Sequence, residues 1–517
     1  TLLMGGTLPV AVHAVEQRAD IGRRRVAWLY GINTLGAVGG ALLANFVLIE
    51  QLGVSRTLWL AAACNLLLAV VASRIARSAV EQTADEPPTD LDVPETTPRP
   101  APAGSVDLPR RTLLVVAALV GFVFFVMELV WYRMLAPILG GSTYTMGLIL
   151  AIALAGIGIG GWFYALGRRD RRPTVATLAT TCGLEALVLA IPFALGDTLA
   201  LATVFVRDLS ALGFLGLVAS WALIAMIVVF PAALLAGYQF PLLVGLLGAG
   251  DQGAGDDVGT AYAWNTAGAI VGSLAGGFGL LPLLGAPTLW RGAVGVLVVT
   301  SLWLAWTART GQRSMRRELP TVPWIAAVLA TLVTVGSVGP TAFWRHVPIG
   351  AGRAEVGDLA TPNAWTAYRR EVAWATRYEA DGRESSIALQ VVDDPALMVN
   401  GKSDGSGRGD ATTTVLSGVI GASLHPDPER ALVIGLGLGA TAGFFTTVDS
   451  IERVDVVELE PAVVDVARQV GPLGYDVLDD PKTVLHLGDG RELVVEELTE
   501  QSFEGVEVVL FSAGGSI

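Results

Sequence analysis

The sequence has little cysteine, histidine or charge, and each shortage excludes a class of protein. Its two cysteines, Cys64 and Cys182, both lie inside apolar runs, so no disulfide framework is indicated. The four histidines are scattered along the chain, which argues against a metal site. Charged residues make up only 16% of the 517 residues, whereas 52% are hydrophobic. This composition excludes a single soluble domain and indicates a membrane region.

Long apolar runs recur from the start of the chain to about residue 340. Each is long enough for a helix to cross a hydrocarbon layer about 30 Å thick. The expected spans are 26–49, 55–75, 112–137, 144–167, 173–195, 211–246, 258–284, 288–307 and 321–340, and residues 1–14 resemble the tail of another. The pattern predicts a multi-pass helical protein of the inner or plasma membrane, with the lipid bilayer as its partner.

The remainder of the chain is acidic and alternates apolar with polar residues, as a soluble domain does. Residues 341–517 hold 13 Lys and Arg against 28 Asp and Glu. Because binding to nucleic acid needs a basic surface, this imbalance excludes a nucleic-acid partner. A cationic small molecule would be tolerated.

Two copies of one unit flank a segment rich in proline and acid. The segment at 79–109 ("AVEQTADEPPTDLDVPETTPRPAPAGSVDLP") has the composition of a disordered linker. "YGINTLGAVGGALLANF" at 30–46 matches "YAWNTAGAIVGSLAGGF" at 262–278, and "GGTLPV" at 5–10 matches "GYQFPL" at 237–242 in the same register. The matches predict an internal repeat of two parallel halves.

The first copy is shorter than the second. About four apolar spans precede Pro241, whereas only eight residues precede Pro9, and the chain begins with Thr1. We therefore expect the sequence to lack part of its N-terminal repeat.

Four polar side chains interrupt the apolar spans and are candidate functional residues, since buried polar groups are costly in a membrane. They are Glu128, Glu185, Asn33 and Asn265. The alternative is structural: Glu128 would pair with Arg133, and the asparagines would tie helices together.

The acidic domain contains one pattern typical of nucleoside binding. In "ALVIGLGLGATAGFF" at 431–445, an apolar strand runs into Gly435, Gly437 and Gly439 and then into a helix, so that a ligand can approach the backbone closely. A second apolar strand, within 454–461, ends at Glu458, where a carboxylate can accept hydrogen bonds from ribose hydroxyls. A third, at 483–490, ends at Asp489, which could hold an adenine amino group. Three successive strands with suitable ends predict a nucleoside-type cofactor site.

The same segments resemble the polyamine synthases of the spermidine synthase type over residues 365–510. The resemblance rests on "NGKSDGSGRGD", "LHPDPERALVIGLGLGATAG", "VDVVELEP" and "DDPKTVLHLGDGREL". The membrane part, with "ELVWYRMLAPILGGSTYTMGLILAIALAGIGIGG", is similar to fused multi-spanning members of this family. The resemblance implies a Rossmann-like α/β transferase domain and aminopropyl transfer from decarboxylated S-adenosylmethionine to an amine. It also implies that Glu458 contacts the ribose, and that Asp489 and Gly490 contact the adenine.

The sequence departs from the family pattern at the positions that orient the amine. Leu438 stands where members carry an acid, Thr414 and Val415 replace a Tyr-His pair, and Ser385 and Ser386 replace a glutamine. No acid follows the last strand, where the chain offers Ser512 and soon ends, so we expect a missing C-terminal part. Asp404 and Asp410 are the local candidates for contacts with an amine substrate, or are merely loop acids; the catalytic residues stay unknown. Two alternatives therefore remain: a methyltransferase that uses S-adenosylmethionine, and a transporter whose soluble domain senses a polyamine or nucleoside.

Together these patterns predict a helical membrane region followed by an α/β domain. The expected division is 1–78 for a partial first repeat, 79–111 for the linker, 112–308 for the second repeat, 309–341 for a basic loop and last helix, 342–430 for a small β-rich subdomain with a connecting helix, and 431–517 for the incomplete Rossmann-like domain. Short alternating stretches in 366–400 predict a small antiparallel sheet, and 411–424 predicts a helix.

Basic residues predict the orientation of the membrane region. They cluster at 18–25, 74–77, 168–172 and 309–317, which the positive-inside rule places in the cytoplasm. A domain that uses an intracellular cofactor is expected in the cytoplasm too. A crossing at 321–340 would place it outside instead, so the sequence leaves its side open, as it does the oligomeric state.

Overall fold

The computed structural model describes residues 2–15, 24–84, 108–167, 173–248, 254–310, 321–355, 357–488 and 508–511. The described residues before residue 347 are mainly helical. Its helices are α1 Leu2–Val15, α2 Arg24–Leu43, α3 Ile49–Ala84, α4 Arg110–Leu139, α5 Thr143–Leu166, α6 Val175–Leu195, α7 Asp197–Val206, α8 Phe214–Val228, α9 Phe230–Leu247, α10 Ala254–Ala275, α11 Leu281–Leu284, α12 Ala286–Thr310, α13 Thr321–Gly336 and α14 Ala342–His346. Within the described ranges, seven helical segments are long and apolar enough to cross a membrane.

Small residues let these helices pack closely. Helix α10 packs on α4, helices α2 and α9 pack on α5, and helices α12 and α13 pack on α6. A Cβ added to Gly160 of α5 would lie 2.0 Å from the carbonyl oxygen of Leu234 in α9. One added to Gly268 of α10 would lie 1.8 Å from that of Ala118 in α4. At these glycines the backbones of two helices lie so close that a side chain would not fit between them. Such close approach at small residues is typical of helix association in membranes.

The two segments that match in sequence have the same local backbone. Helix α2 continues into a π-helical segment, Ala44–Leu48, and α10 continues into Gly276–Leu280. Gly53 then has φ 76° and ψ 167°, and Gly285 has φ 75° and ψ 154°. Each glycine lies in the region of positive φ that side chains other than glycine disfavour.

Two expectations for the apolar region are corrected. The expected span 211–246 is two helices, α8 and α9, because Pro231 lacks the N–H that would continue the ladder of hydrogen bonds across Val229. Residues 79–84, expected in the linker, belong to α3, and α4 begins at Arg110, within the expected linker. Residues 85–107 of the expected linker lie outside the described residues.

Among its described residues, the acidic part has two four-stranded sheets and four α-helices. Its elements are α15 Pro362–Ala375, β1 Thr376–Asp381, β2 Ser386–Val391, β3 Pro395–Val399, β4 Lys402–Ser406, α16 Ala411–Leu424, β5 Arg430–Ile434, α17 Ala440–Thr446, β6 Arg453–Glu458, α18 Pro461–Val470, β7 Thr483–Leu487 and β8 Val508–Phe511.

The first sheet is antiparallel, in the order β1-β2-β3-β4. Residues 371–375, expected to begin it, instead end helix α15. The signal for this helix is Thr361, whose hydroxyl accepts a hydrogen bond from the Ala364 N–H at 3.1 Å, with Pro362 as the first helical residue.

The second sheet is parallel, in the order β7-β6-β5-β8. The strands predicted at 431–434, within 454–461 and within 483–490 are confirmed, as is the helix at 411–424. Val433 and Val456 are fully buried in one apolar cluster with Phe445 of α17 and Val466 of α18. The carboxyl ends of β5, β6 and β7 therefore lie side by side.

The segment after α13 joins the acidic part to the helices. The carbonyl oxygen of Pro137 accepts a hydrogen bond from the Gly350 N–H at 3.0 Å, and Asp197 accepts one from the Thr341 N–H at 2.9 Å. Arg345 and His346 of α14 both contact Glu379 of β1, at 3.0 and 3.1 Å. The first sheet thus rests against one end of the helical region.

Candidate nucleoside site

The glycine loop after β5 leaves an open approach to the backbone. Gly435, Gly437 and Gly439 have φ of 90°, 56° and 92°. The Gly435 N–H donates to the carbonyl of Val457 at 2.8 Å, which fixes the loop to β6. A Cβ added to Gly437 would meet no atom within 4 Å, whereas one added to Gly439 would lie 2.9 Å from Val477. Gly437 therefore faces open space, and Gly439 faces the protein.

Glu458, at the end of β6, is buried and holds the loop. Its Oε2 accepts a hydrogen bond from the Leu436 N–H at 2.9 Å. Its Oε1 accepts from the N–H groups of Leu459 at 2.8 Å and Glu460 at 2.9 Å. The carboxylate predicted to contact ribose is therefore also the group that positions the glycine loop.

Glu460 is a second buried carboxylate beside the site. It was not predicted from the sequence. It accepts hydrogen bonds from the N–H groups of Arg383, Glu384 and Ser385, at 2.9, 2.6 and 3.0 Å. The signal in the sequence is the second acid of "ELEP", but its partners lie more than 70 residues away. Glu460 links the parallel sheet to the turn between β1 and β2.

The third strand brings its end to the same edge of the sheet. The Gly488 N–H donates to the carbonyl of Glu458 at 2.8 Å. Asp489 and Gly490, predicted to contact the adenine, lie outside the described residues.

The loop acids lie before α16, and Asp410 has a local structural role. Its Oδ2 accepts hydrogen bonds from the N–H and hydroxyl of Ser406, at 2.7 and 2.9 Å. Asp404 is exposed on β4. Helix α16, which follows Asp410, contacts α17 through a hydrogen bond of 3.0 Å from the Thr441 hydroxyl to the carbonyl of Thr414.

The residues that depart from the family pattern have structural contacts. Leu438 is buried in the apolar core of the domain, so its side chain packs inward. Ser385 donates through its N–H to Glu460, and the Ser386 hydroxyl accepts a hydrogen bond from Arg345 at 3.3 Å.

The polar residues of the apolar helices differ in their surroundings. Glu185 of α6 is buried and accepts a hydrogen bond of 2.6 Å from the Gln239 amide of α9. Asn265 of α10 donates to the carbonyl of Ala117 in α4 at 3.0 Å, the tying role considered for it, while Asn33 is exposed.

Glu128, in contrast, is half-buried on α4. Its expected partner, Arg133, instead forms an ion pair of 3.7 Å with Asp381. The structural pairing expected for Glu128 was therefore wrong, because the arginine turns toward the acidic domain. Among the described residues, no cluster of three or more His, Cys, Asp or Glu could hold a metal.

Comparison with known proteins identifies the domain that contains the site. Residues 413–512 match the family model of the spermine/spermidine synthase domain. Putrescine N-methyltransferase 2 of Nicotiana attenuata is 41% identical over 69 residues, which are 13% of this chain and 19% of the relative. Polyamine aminopropyltransferase of Streptococcus pneumoniae serotype 4 is 31% identical over 113 residues, 21% of this chain and 40% of the relative.

Among solved structures, spermidine synthase from Thermotoga maritima matches with a TM-score of 0.21 and 21% identity, over 22% of this chain and 42% of that one. Spermidine synthase in complex with the transition state analogue AdoDATO gives the same TM-score and identity, over 22% and 39%. The chain spans less than half the length of each of these proteins.

Proposed function

Because residues 413–512 match the spermine/spermidine synthase domain, we propose that the chain is a membrane-embedded transferase that binds decarboxylated S-adenosylmethionine or S-adenosylmethionine and acts on a small amine. The observation that carries the proposal is the glycine loop, whose open face at Gly437 adjoins the buried carboxylate of Glu458. Leu438, which departs from the family pattern within this loop, packs into the apolar core and leaves the face at Gly437 open.

The loop and its neighbours fit a nucleoside. The absence of a side chain at Gly437 lets a ligand reach the backbone, and Glu458 is already oriented by three N–H groups. A carboxylate has about four lone-pair directions, so Glu458 can accept a further hydrogen bond from a ribose hydroxyl. Asp489 and Gly490 are the proposed contacts of the adenine.

The cofactor, when bound, supplies an electrophilic carbon next to a sulfonium. The chain's own residues then have two tasks: to orient the cofactor, and to hold a neutral amine close to that carbon. Glu458 and the glycine loop perform the first task. Asp404 and Asp410 are the proposed carboxylates for a second, cationic end of the substrate, and the acidic surface of the domain favours its approach.

Methyl transfer is the second candidate reaction. It needs the same nucleoside site but no acid for an aminopropyl amine, which suits Leu438. A putrescine N-methyltransferase is also among the relatives that match this chain.

For the helical region we propose two parallel repeats within the bilayer, with the domain boundaries predicted above apart from α3 and the start of α4. The matching π-helical segments and the matching positive φ of Gly53 and Gly285 support the repeat. The seven long apolar segments support the embedding.

Calorimetry on the full chain in lipid nanodiscs tests the proposal. The ligands are S-adenosylmethionine, decarboxylated S-adenosylmethionine and methylthioadenosine. Gly437→Val should abolish binding, because its side chain would fill the open approach. The matched control is Gly352→Val: Gly352 also has positive φ, 75°, and an added Cβ there also meets no atom within 4 Å. It should bind like the wild type, and both variants should unfold at similar temperatures.

The ligand preference then separates the reactions. Tighter binding of the decarboxylated form indicates aminopropyl transfer, and tighter binding of S-adenosylmethionine indicates methyl transfer. If the wild type binds none of the three ligands, both transferase functions are wrong and the transporter with a sensing domain becomes the better hypothesis.

A further inference from the structure

A short turn lies between helix α4 and the nucleoside site. Residues 382–385 connect β1 to β2, and the turn is closed by a hydrogen bond of 2.7 Å from the Gly382 N–H to the carbonyl of Ser385. We call these four residues the bridging turn. One side of it contacts the apolar helices, and the other contacts the parallel sheet.

On the helix side, Arg133 of α4 holds the bridging turn. Its guanidinium donates from Nη1 to the carbonyl of Gly382 and from Nη2 to the carbonyl of Arg383, each at 3.0 Å. Arg133 is only 7% exposed, so these bonds form away from water. The rigid planar fork of a guanidinium can hold two carbonyls at once, and removing it would leave both without a donor.

Asp381, whose Oδ1 forms the ion pair of 3.7 Å with Arg133, is also held at the end of β1 by two other donors. Its Oδ2 accepts hydrogen bonds from the Ala286 N–H at 2.7 Å and from Arg345 at 2.8 Å. Loss of Arg133 should therefore disturb the bridging turn and leave the strand before it anchored.

On the sheet side, the bridging turn contacts two strand ends of the nucleoside site. Glu460 accepts three of its N–H groups, and the guanidinium of Arg383 donates to the carbonyl of Gly488, just after β7. The fit is close: a Cβ added to Gly382 would lie 2.1 Å from Oε2 of Glu460. A shift of the turn must therefore move Glu460.

Glu460 in turn contacts the carboxylate that holds the glycine loop. Its N–H donates to Oε1 of Glu458 at 2.9 Å, and Oε2 of Glu458 accepts from the Leu436 N–H at 2.9 Å. An unbroken series of hydrogen bonds joins α4 to the loop.

We propose that Arg133 is a positioning residue for the nucleoside site, so that an arginine of the apolar helical region sets the affinity of a site in the acidic domain. The inference rests on the function proposed above. It assigns part of the binding site's organisation to the helical region, which the family model at 413–512 does not include.

The test measures binding of methylthioadenosine to the full chain in nanodiscs by calorimetry. Arg133→Ala should weaken binding about tenfold, as expected for the loss of charged hydrogen bonds. Arg133→Lys keeps the charge near Asp381 but cannot hold both carbonyls as the fork does, so it should bind with intermediate affinity. Arg111→Ala removes an exposed arginine from the same helix and should have no effect.

A double-mutant cycle tests the route. If Arg133 acts through the bridging turn and Glu460, then Arg133→Ala combined with Glu460→Gln should weaken binding about as much as the more severe single variant, rather than by the product of the two effects. Hydrogen exchange of the Leu436 amide should quicken in Arg133→Ala, which a merely local loss of stability at α4 would not produce.

The outcomes separate the inference from the proposed function. If the wild type binds no nucleoside, the proposed function fails. If the wild type binds and Arg133→Ala binds equally well, the positioning role is wrong. If Arg133→Ala does not fold, Arg133→Lys decides, and wild-type affinity in that variant overturns the inference.

Discussion

At the scale of the residue, His346 makes the contact between the helices and the acidic domain sensitive to pH. Its ring is fully buried, and burial lowers its pKa below the usual value, although the hydrogen bond to Glu379 acts in the opposite direction. Nε2 lies 3.1 Å from the Glu379 carboxylate, while Nδ1 has no partner among the described residues. A neutral ring that donates from Nε2 satisfies this geometry, whereas a protonated ring would bury a second N–H without an acceptor.

We therefore expect stability to fall on acidification. Because the pKa of His346 is lower in the folded state, the unfolded chain binds more protons below about pH 6.5, and the free energy of unfolding decreases as the pH falls through that range. The loss between pH 7.5 and 5.5 should be on the order of 1 kcal/mol. Thermal unfolding of wild type, His346→Gln and the control His425→Gln at both pH values measures it. An equal loss in His346→Gln and wild type would contradict this assignment.

Residues of the site differ in how far the sequence could predict them. The glycines and Glu458 follow directly from strands with known ends, so their neighbourhood was predictable. Arg133 was not, because its partners are about 250 residues away and nothing local distinguishes it from an arginine at a membrane interface. Asp410 stays a proposed substrate contact, but its hydrogen bonds to Ser406 depend on loop geometry that composition does not reveal.

At the scale of the element, close backbone contact between α5 and α9 decides which glycines are essential. A Cβ at Gly160 would overlap the carbonyl oxygen of Leu234, whereas one at Gly295 of α12 would meet no atom within 4 Å. Gly160→Ala should destabilise the helical region by about 1–3 kcal/mol, as overpacking does. Gly295→Ala should be neutral or stabilise it by up to about 1 kcal/mol, since alanine favours a helix over glycine.

Thermal unfolding in nanodiscs, followed by tryptophan fluorescence, compares these two variants. Both replace one helical glycine with alanine, so helix propensity changes equally and only the space differs. Similar unfolding temperatures for the two would show that α5 and α9 do not meet as described.

Helices and strands were predictable where the hydrophobic period and the residues that begin or end the element lie within the same short stretch of sequence. The parallel strands and α16 have clear patterns, and the structure contains them at the expected places. Helix α15 was misread because "EVAWATRYEA" alternates as a strand does, while the capping residue Thr361 lies ten residues earlier. The sequence did not predict that 211–246 divides into α8 and α9. Pro231 can either kink one long helix or stand in the first turn of a new one, and the local pattern does not distinguish the two.

At the scale of the whole molecule, basic residues and the acidic domain occupy opposite ends of the helices. Arg110 begins α4 and pairs with Asp257, near the start of α10, at 2.6 Å. Arg24 donates to the carbonyl of Ala165, just before the "RRDRR" segment at 168–172. Arg133 contacts the acidic domain about 35 Å further along α4, at 1.5 Å per residue.

This arrangement bears on which side of the membrane the domain faces. The arginine-rich helix ends belong in the cytoplasm by the positive-inside rule. Helices α4, α6 and α13 each lead from that end toward the acidic domain, where the Thr341 N–H, shortly after α13, contacts Asp197, which follows α6. By the charge rule the acidic domain then lies outside the cytoplasm, whereas a cofactor made in the cytoplasm favours a domain inside it. We give precedence to the charge rule, because it rests on several independent helix ends.

We therefore predict that the acidic domain faces away from the cytoplasm, which would require its nucleoside to be supplied on that side. Cys182 is buried, so Cys64→Ser leaves no exposed native thiol among the described residues. In that background, a cysteine introduced by Ser423→Cys on α16 should react with a membrane-impermeant maleimide in intact cells. One introduced by Thr310→Cys, at the arginine-rich end, should react only after permeabilisation. If instead the cysteine at position 310 reacts in intact cells and the one at position 423 only after permeabilisation, the domain faces the cytoplasm. The positive-inside rule would then have predicted the wrong side.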